Sequence, residues 1–144
     1  MSEIRSTEAY EASQPEELEK LQQRWSSGDL ANHASQLLRF AEQQREAILA
    51  LTEGPNDPQA LISAIKRTVV ECGTVHHLTE MQAQMREIHD YIWYHGEKGE
   101  HDRDRIMHDW ATRHAANWRR WRLKEYLFVI DQQAAEILER IRTN

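Results

Sequence analysis

The 144-residue sequence holds one cysteine, three prolines and five glycines, and each scarcity excludes something. Cys72 alone rules out an internal disulfide and fits a reducing cytoplasm. So few chain breakers leave long uninterrupted elements as the expectation. No apolar run approaches the ~18 residues that a membrane span requires. The opening stretch MSEIRSTEAYEAS has no apolar signal region and carries three glutamates, which argues against export or organelle targeting. The glycines of HGEKGE, residues 95–100, follow no strand and lack the spacing of a phosphate-cradling loop. No repeat, low-complexity tract or long linker divides the chain.

What the sequence does have is helix-forming material. Glu, Gln, Ala, Leu and Arg dominate, and apolar residues make up 40% against 29% charged, the balance of a soluble globular domain. The net charge of −6 is unevenly spread. Residues 1–57 hold eleven acids and five bases, residues 58–102 seven and four, and residues 103–144 six and nine. The basic end therefore either meets an acidic partner or neutralises the acidic remainder of its own fold.

The pattern predicts an all-α bundle of about six helices, approximately 14–27, 29–53, 58–72, 74–94, 102–114 and 117–142, forming one domain over 14–144 behind a frayed 1–13. Pro15 suits a first helical position, with Glu16, Glu17 and Glu19 complementing the positive end of the dipole. Gly28 stops the first helix and Asp29 is read as the cap of the second. TEGPNDP makes a turn, with Asp57-Pro58 opening the next helix. From Pro58 to Tyr94 the apolar phase reverses. Leu61, Ile62, Ile65, Val69 and Cys72 share one face, whereas Leu78, Met81, Met85, Ile88 and Ile92 lie nearly opposite. One straight helix cannot bury both, so a break is placed at Gly73, with Thr74 capping the new helix. Asp102 is read as a further cap, and Asn117 as the cap of the last helix. The apolar YLFVI at 126–130 reads as the wrapped centre of that helix, with a buried strand as the alternative.

WATRHAANWRRWRLKEY, residues 110–126, is the most unusual stretch, with three tryptophans and four arginines between Trp110 and Arg122. A short helix, a tight turn and an arginine-rich second helix resemble a DNA-reading helix-turn-helix in outline. Arg119, Arg120 and Arg122 are the candidate anion or nucleic-acid contacts. They spread over about 160° of a helical wheel, which is not one groove-facing row, and the helix they open has the apolar middle of a core element. Pairing with the chain's own acids is the preferred reading. Trp118, Trp121, Trp93 and Tyr94 are read as interface anchors.

Seven of the eight histidines lie between His76 and His114, which raises a metal question. His76 and Glu80 share a helical face and resemble one ligand pair of a carboxylate-bridged di-iron bundle. His89, His108 and His114 would have to converge by packing. Without that convergence the histidines are bonded at helix ends, and no resident cofactor is expected beyond a possible transition metal. The pair His-Asp occurs three times, and His33, His89-Asp90 and Asp131 would fill by order the pattern of the metal-dependent HD phosphohydrolases. The flanks of REIHDYIW do not match that family. Cys72, on an apolar face, reads as a structural buried thiol rather than a nucleophile.

Taken together, these features point to a non-catalytic, cytoplasmic helical interaction or adaptor module, self-associating and with an unidentified protein partner. Six large aromatics, Trp25, Trp93, Tyr94, Trp110, Trp118 and Trp121, are hard to bury at once in a chain this short. A metal-binding bundle and a nucleic-acid binder stand as the alternatives. No membrane association is expected.

Overall fold

The structure, a computed structural model, describes residues 7–143. Among these there is helix and no strand. A 3-10 turn, Thr7–Tyr10, precedes α1 (Pro15–Ser26), α2 (Ala31–Gln43), α3 (Arg45–Leu51), α4 (Pro58–Cys72), α5 (His77–Glu97), α6 (Arg103–Arg113), α7 (Ala115–Gln132) and α8 (Ala134–Thr143). Among the described residues no helix is long and apolar enough to cross a membrane. The count is eight rather than six because two expected helices bend, at Gln44 and Gln133. Each bend interrupts the helical run, which resumes directly after it, with Ile48 N–H donating to Gln44 O at 2.9 Å and Ile137 N–H to Gln133 O at 3.1 Å. Gln133 is buried, and its amide donates to Ala34 O at 2.9 Å, so the second bend is tied to α2.

The punctuation follows local chemistry. Asp57 accepts from Gln59 N–H and Asp102 from Arg105 N–H, capping α4 and α6. Gly73 is left-handed at φ 77° and ends α4, a conformation that costs a β-carbon-bearing residue of order 1 kcal/mol. Three expected starts move. Leu30, not Asp29, precedes α2, because the turn after Gly28 continues until Leu30 is fully buried. His76, not Thr74, caps α5, because Thr74 and Val75 form a link that seats Val75 in the core first. The last long helix starts at Ala115, not at Asn117, because the chain turns at His114 alone. Residues 126–130 are helix, with Tyr126, Leu127, Val129 and Ile130 essentially inaccessible. Cys72 is exposed, contrary to the sequence reading. The buried face of α4 runs instead through Leu61, Ile65, Val69 and Val70.

The chain divides into two compact units, one of residues 1–75 with 122–144 and one of residues 76–121. In the first unit α2 packs on α8, and α4 on α3 and α8, around a core that draws Leu37 and Phe40 from α2, Leu61 and Ile65 from α4, Tyr126 from α7 and Ile137 from α8. The 3-10 turn lies against α4, where Lys66, nearly buried, donates to Glu11 at 2.5 Å and to Asp131 at 3.0 Å. Of the expected frayed N-terminus, residues 1–6 lie outside the described residues. The second unit is the α5–α6 hairpin with the first turns of α7, around Ile88, Trp110 and Ala115.

Candidate functional site

In the second unit, α5 is far longer than its partner. Its 21 residues against the 11 of α6 mean about 31 Å against about 16 Å at 1.5 Å per residue. A hairpin places α6 along the last half of α5, where Ile88 is buried with Ala115 and Trp110 and where Tyr91, Ile92 and Trp118 pack. The first half outreaches it. There Leu78, Met81 and Met85 are 61%, 53% and 48% exposed. With Ile88 and Ile92 they continue a single stripe at alternating spacings of three and four, the a/d pattern of a helix that packs against another helix.

At the other end of the hairpin the side chains are polar. Tyr91 and His95 on α5, Glu100 in the connection, and Arg105, His108, Asp109 and Arg113 on α6 come together there. Arg105, Asp109 and Arg113 share a face because they are spaced by four. Tyr91 donates its hydroxyl to Asp109, and Arg113 Nε stands 2.9 Å from the same carboxylate. That hydrogen bond first, and Arg113 after it, holds the Asp109 carboxyl below its usual range, and it raises the Tyr91 phenol in turn. The Tyr91 ring meets His95 at 4.4 Å and His114 at 5.1 Å, both edge-on. A cleft of about 330 Å³ opens between these groups, lined by His95, Glu100, Arg105, Ile106, His108, Asp109 and Arg113.

The first unit buries a different polar group. Glu125, 4% exposed, is paired with Arg24 and lies 3.2 Å from His33 Nε2. The His33 ring rests 4.5 Å from that of Tyr126, whose hydroxyl donates to Gln36 at 2.7 Å. Arg122 donates to the same hydroxyl at 3.3 Å. Glu125 alone would favour the imidazolium. Burial, with Arg122 and Arg24 nearby, outweighs it and pushes the His33 pKa down to about 3. His33 is therefore neutral near pH 7, and its Nε2–H donates to Glu125.

The sequence candidates distribute as follows. His76 caps α5, its Nδ1 accepting from Thr79 N–H at 3.3 Å. Glu80 lies in the first turn of α5, His89 is exposed midway along it, His108 lines the cleft, and His114 ends α6. Among the described residues no three His, Cys, Asp or Glu side chains are placed to hold a metal ion. Arg119 and Arg120 are exposed, whereas Arg122 reaches back to Tyr126. It is Lys124, 2.5 Å from Glu17, and Arg140, paired with Glu42, that join the basic end to acidic helices. Trp118 packs edge-on against buried Trp110 at 6.2 Å, and Trp121 is half-buried. Trp93 and Tyr94 are exposed, with Lys98 Nζ 4.4 Å from the Tyr94 ring centroid. Sequence reading passed over His95, Glu100, Arg105 and Arg113, although Tyr91–His95 and Arg105–Asp109–Arg113 at steps of four were available as a signal. No protein-family model matches the chain, and no curated protein or solved structure does.

Proposed function

We propose that this chain is a self-associating helical module, two copies of which meet along the first half of α5. The observation that carries the reading is the stripe of Leu78, Met81 and Met85, each about half exposed or more. Scattered apolar side chains on a surface need no explanation, but three in a/d register on one helix do. The flanks select a second copy as the occupant. Taking Leu78 as position a, the e and g positions are His77, Gln82, Gln84, His89 and Tyr91, with no Asp, Glu, Lys or Arg among them. Glu80, Arg86, Glu87 and Asp90 all fall on the outward positions. Two such helices related by a two-fold axis bring no like charges together at the seam.

Three half-exposed side chains supply only about 300 Å² per copy, well under the ~800 Å² per partner of a standard stable interface. The contact therefore recruits its neutral flanks, and its strength is that of a reversible dimer in the micromolar range rather than an obligate one. The single exposed thiol of Cys72 suits a reducing compartment such as the cytoplasm. Sedimentation velocity over a concentration series tests the reading. Wild type shifts from monomer to dimer, and Met81→Glu stays monomeric with unchanged helical circular dichroism. A wild-type monomer at several hundred micromolar, or a Met81→Glu protein that still dimerises, overturns it.

A further inference from the structure

The cleft at the end of the α5–α6 hairpin lies on residues that the association seam does not use. Its lining has an excess of hydrogen-bond donors. Asp109 is engaged on both oxygens, by Tyr91 and by Arg113, so it offers little to a newcomer. Glu100 is half exposed at the rim, free to turn outward. Arg105 contributes a guanidinium with no ion pair among the described residues, and Arg113 meets Asp109 through Nε, which leaves its terminal nitrogens available. His108 adds an exposed imidazole. His95 is the telling member: its ring is mostly buried, and Nδ1 is shut off from solvent with no hydrogen bond, Glu100 standing 3.4 Å away. A buried polar atom without a partner is destabilising unless something fills the site. With Glu100 swung outward, Nδ1 opens toward the cleft, and a group rich in acceptor oxygens would then satisfy it and Arg105 together.

We propose that this cleft binds a small oxyanion, the phosphate of a phosphate ester or a carboxylate, held by Arg105 and His95 with Arg113 and His108 at its sides. The guanidinium of Arg105 offers the two parallel donors that match either oxyanion. About 330 Å³ is at the small end of the range of ligand sites, which fits a small metabolite head group. The lining contains one apolar side chain, Ile106, and no tryptophan, tyrosine or phenylalanine on which a nucleobase would stack.

The test is a titration of the full chain at constant ionic strength and pH, followed by the histidine ring C–H signals in NMR, with inorganic phosphate, succinate and sodium chloride as the three arms. The His95 and His108 signals shift and saturate at millimolar phosphate or succinate, and chloride leaves them still. A response to phosphate alone assigns a phosphate ester, and a response to succinate alone a carboxylate. Arg105→Gln weakens binding about tenfold or more, Arg105→Lys by less because it keeps the charge and loses the fork, and Arg39→Gln in the other unit has no effect. Shifts that rise without saturating, that chloride reproduces, or that persist unchanged in both Arg105 variants overturn the proposal.

Discussion

Arg24 and Glu125 provide the sharpest energetic test of the fold. The Glu125 side chain is 6% exposed and that of Arg24 34%. Removing one partner of a fully buried pair costs about 3–5 kcal/mol, because the other is left as an uncompensated charge. Here the two directions differ. Arg24→Gln strands the carboxylate in the interior beside neutral His33, but water already reaches the arginine side, which discounts the cost to about 2–3 kcal/mol. Glu125→Gln keeps an oxygen for His33 and leaves Arg24 able to turn toward solvent, so about 1–2 kcal/mol is expected. The double variant has no stranded charge and should cost less than the sum, by about 1.5 kcal/mol or more. In a chain of this size 1 kcal/mol moves the melting temperature by about 3–4 °C. Arg24→Gln therefore melts about 6–12 °C below wild type at pH 7. Calorimetry on the four proteins of the cycle reads this directly. A shift below about 2 °C for Arg24→Gln, or strict additivity, would refute the idea that this carboxylate depends on its guanidinium.

His33 makes the fold acid-sensitive. Its folded pKa of about 3 lies below the unfolded 6.5, so the unfolded chain takes up the proton first and stability falls as pH drops through that window. The slope is about 1.4 kcal/mol per pH unit. His33→Gln should flatten that part of a stability–pH curve measured by urea unfolding, and an unchanged slope would exclude His33 as its source. Lys66 has the opposite sign. Burial opposes its charge, but Glu11 and Asp131 outweigh burial and raise its pKa, so its contribution is intact at neutral pH and is lost only as pH rises past 10.5 through the folded value. Lys66→Ala should cost about 1–3 kcal/mol, chiefly through the gap left by its buried stem, since water reaches both acids, and a melting temperature within 2 °C of wild type would argue against it. Gly73→Ala should cost about 1 kcal/mol, since Gly73 has a positive φ and open space where the new carbon would go. A gain in stability there would show that the left-handed turn is dispensable.

The helical class was legible because breakers and phase agreed. Gly28, Asp57-Pro58, Gly73 and Asp102 each act where the sequence places them. The bends at Gln44 and Gln133 were not legible, because no glycine or proline marks them and the apolar phase continues across both. Cys72 was misplaced for a related reason. Periodicity extends a face to the last helical residue, but the final two residues of α4, Glu71 and Cys72, are exposed. The histidine cluster drew attention by number, while His33, the one histidine outside it, is the buried one with a specific partner 92 residues away. Spacing within a helix cannot reveal such a pair. The cleft was hidden similarly, since it needs the connection to fold Glu100 back toward His95, with its backbone N–H on His95 O at 3.0 Å.

The first unit is discontinuous, with residues 76–121 lying between its two segments, and this has a consequence for how the chain is made. Synthesis delivers α1 to α4 before any of the helices that complete their core. Leu61, Ile65 and Val69 must wait for Tyr126, Leu127 and Ile137, which follow more than fifty residues later. At ~5–20 residues per second that is an interval of several seconds. The hairpin unit, being contiguous, can form during the wait. A nascent chain paused just after residue 121 has emerged would therefore present the apolar face of α4 to chaperones, although its inserted unit is already complete.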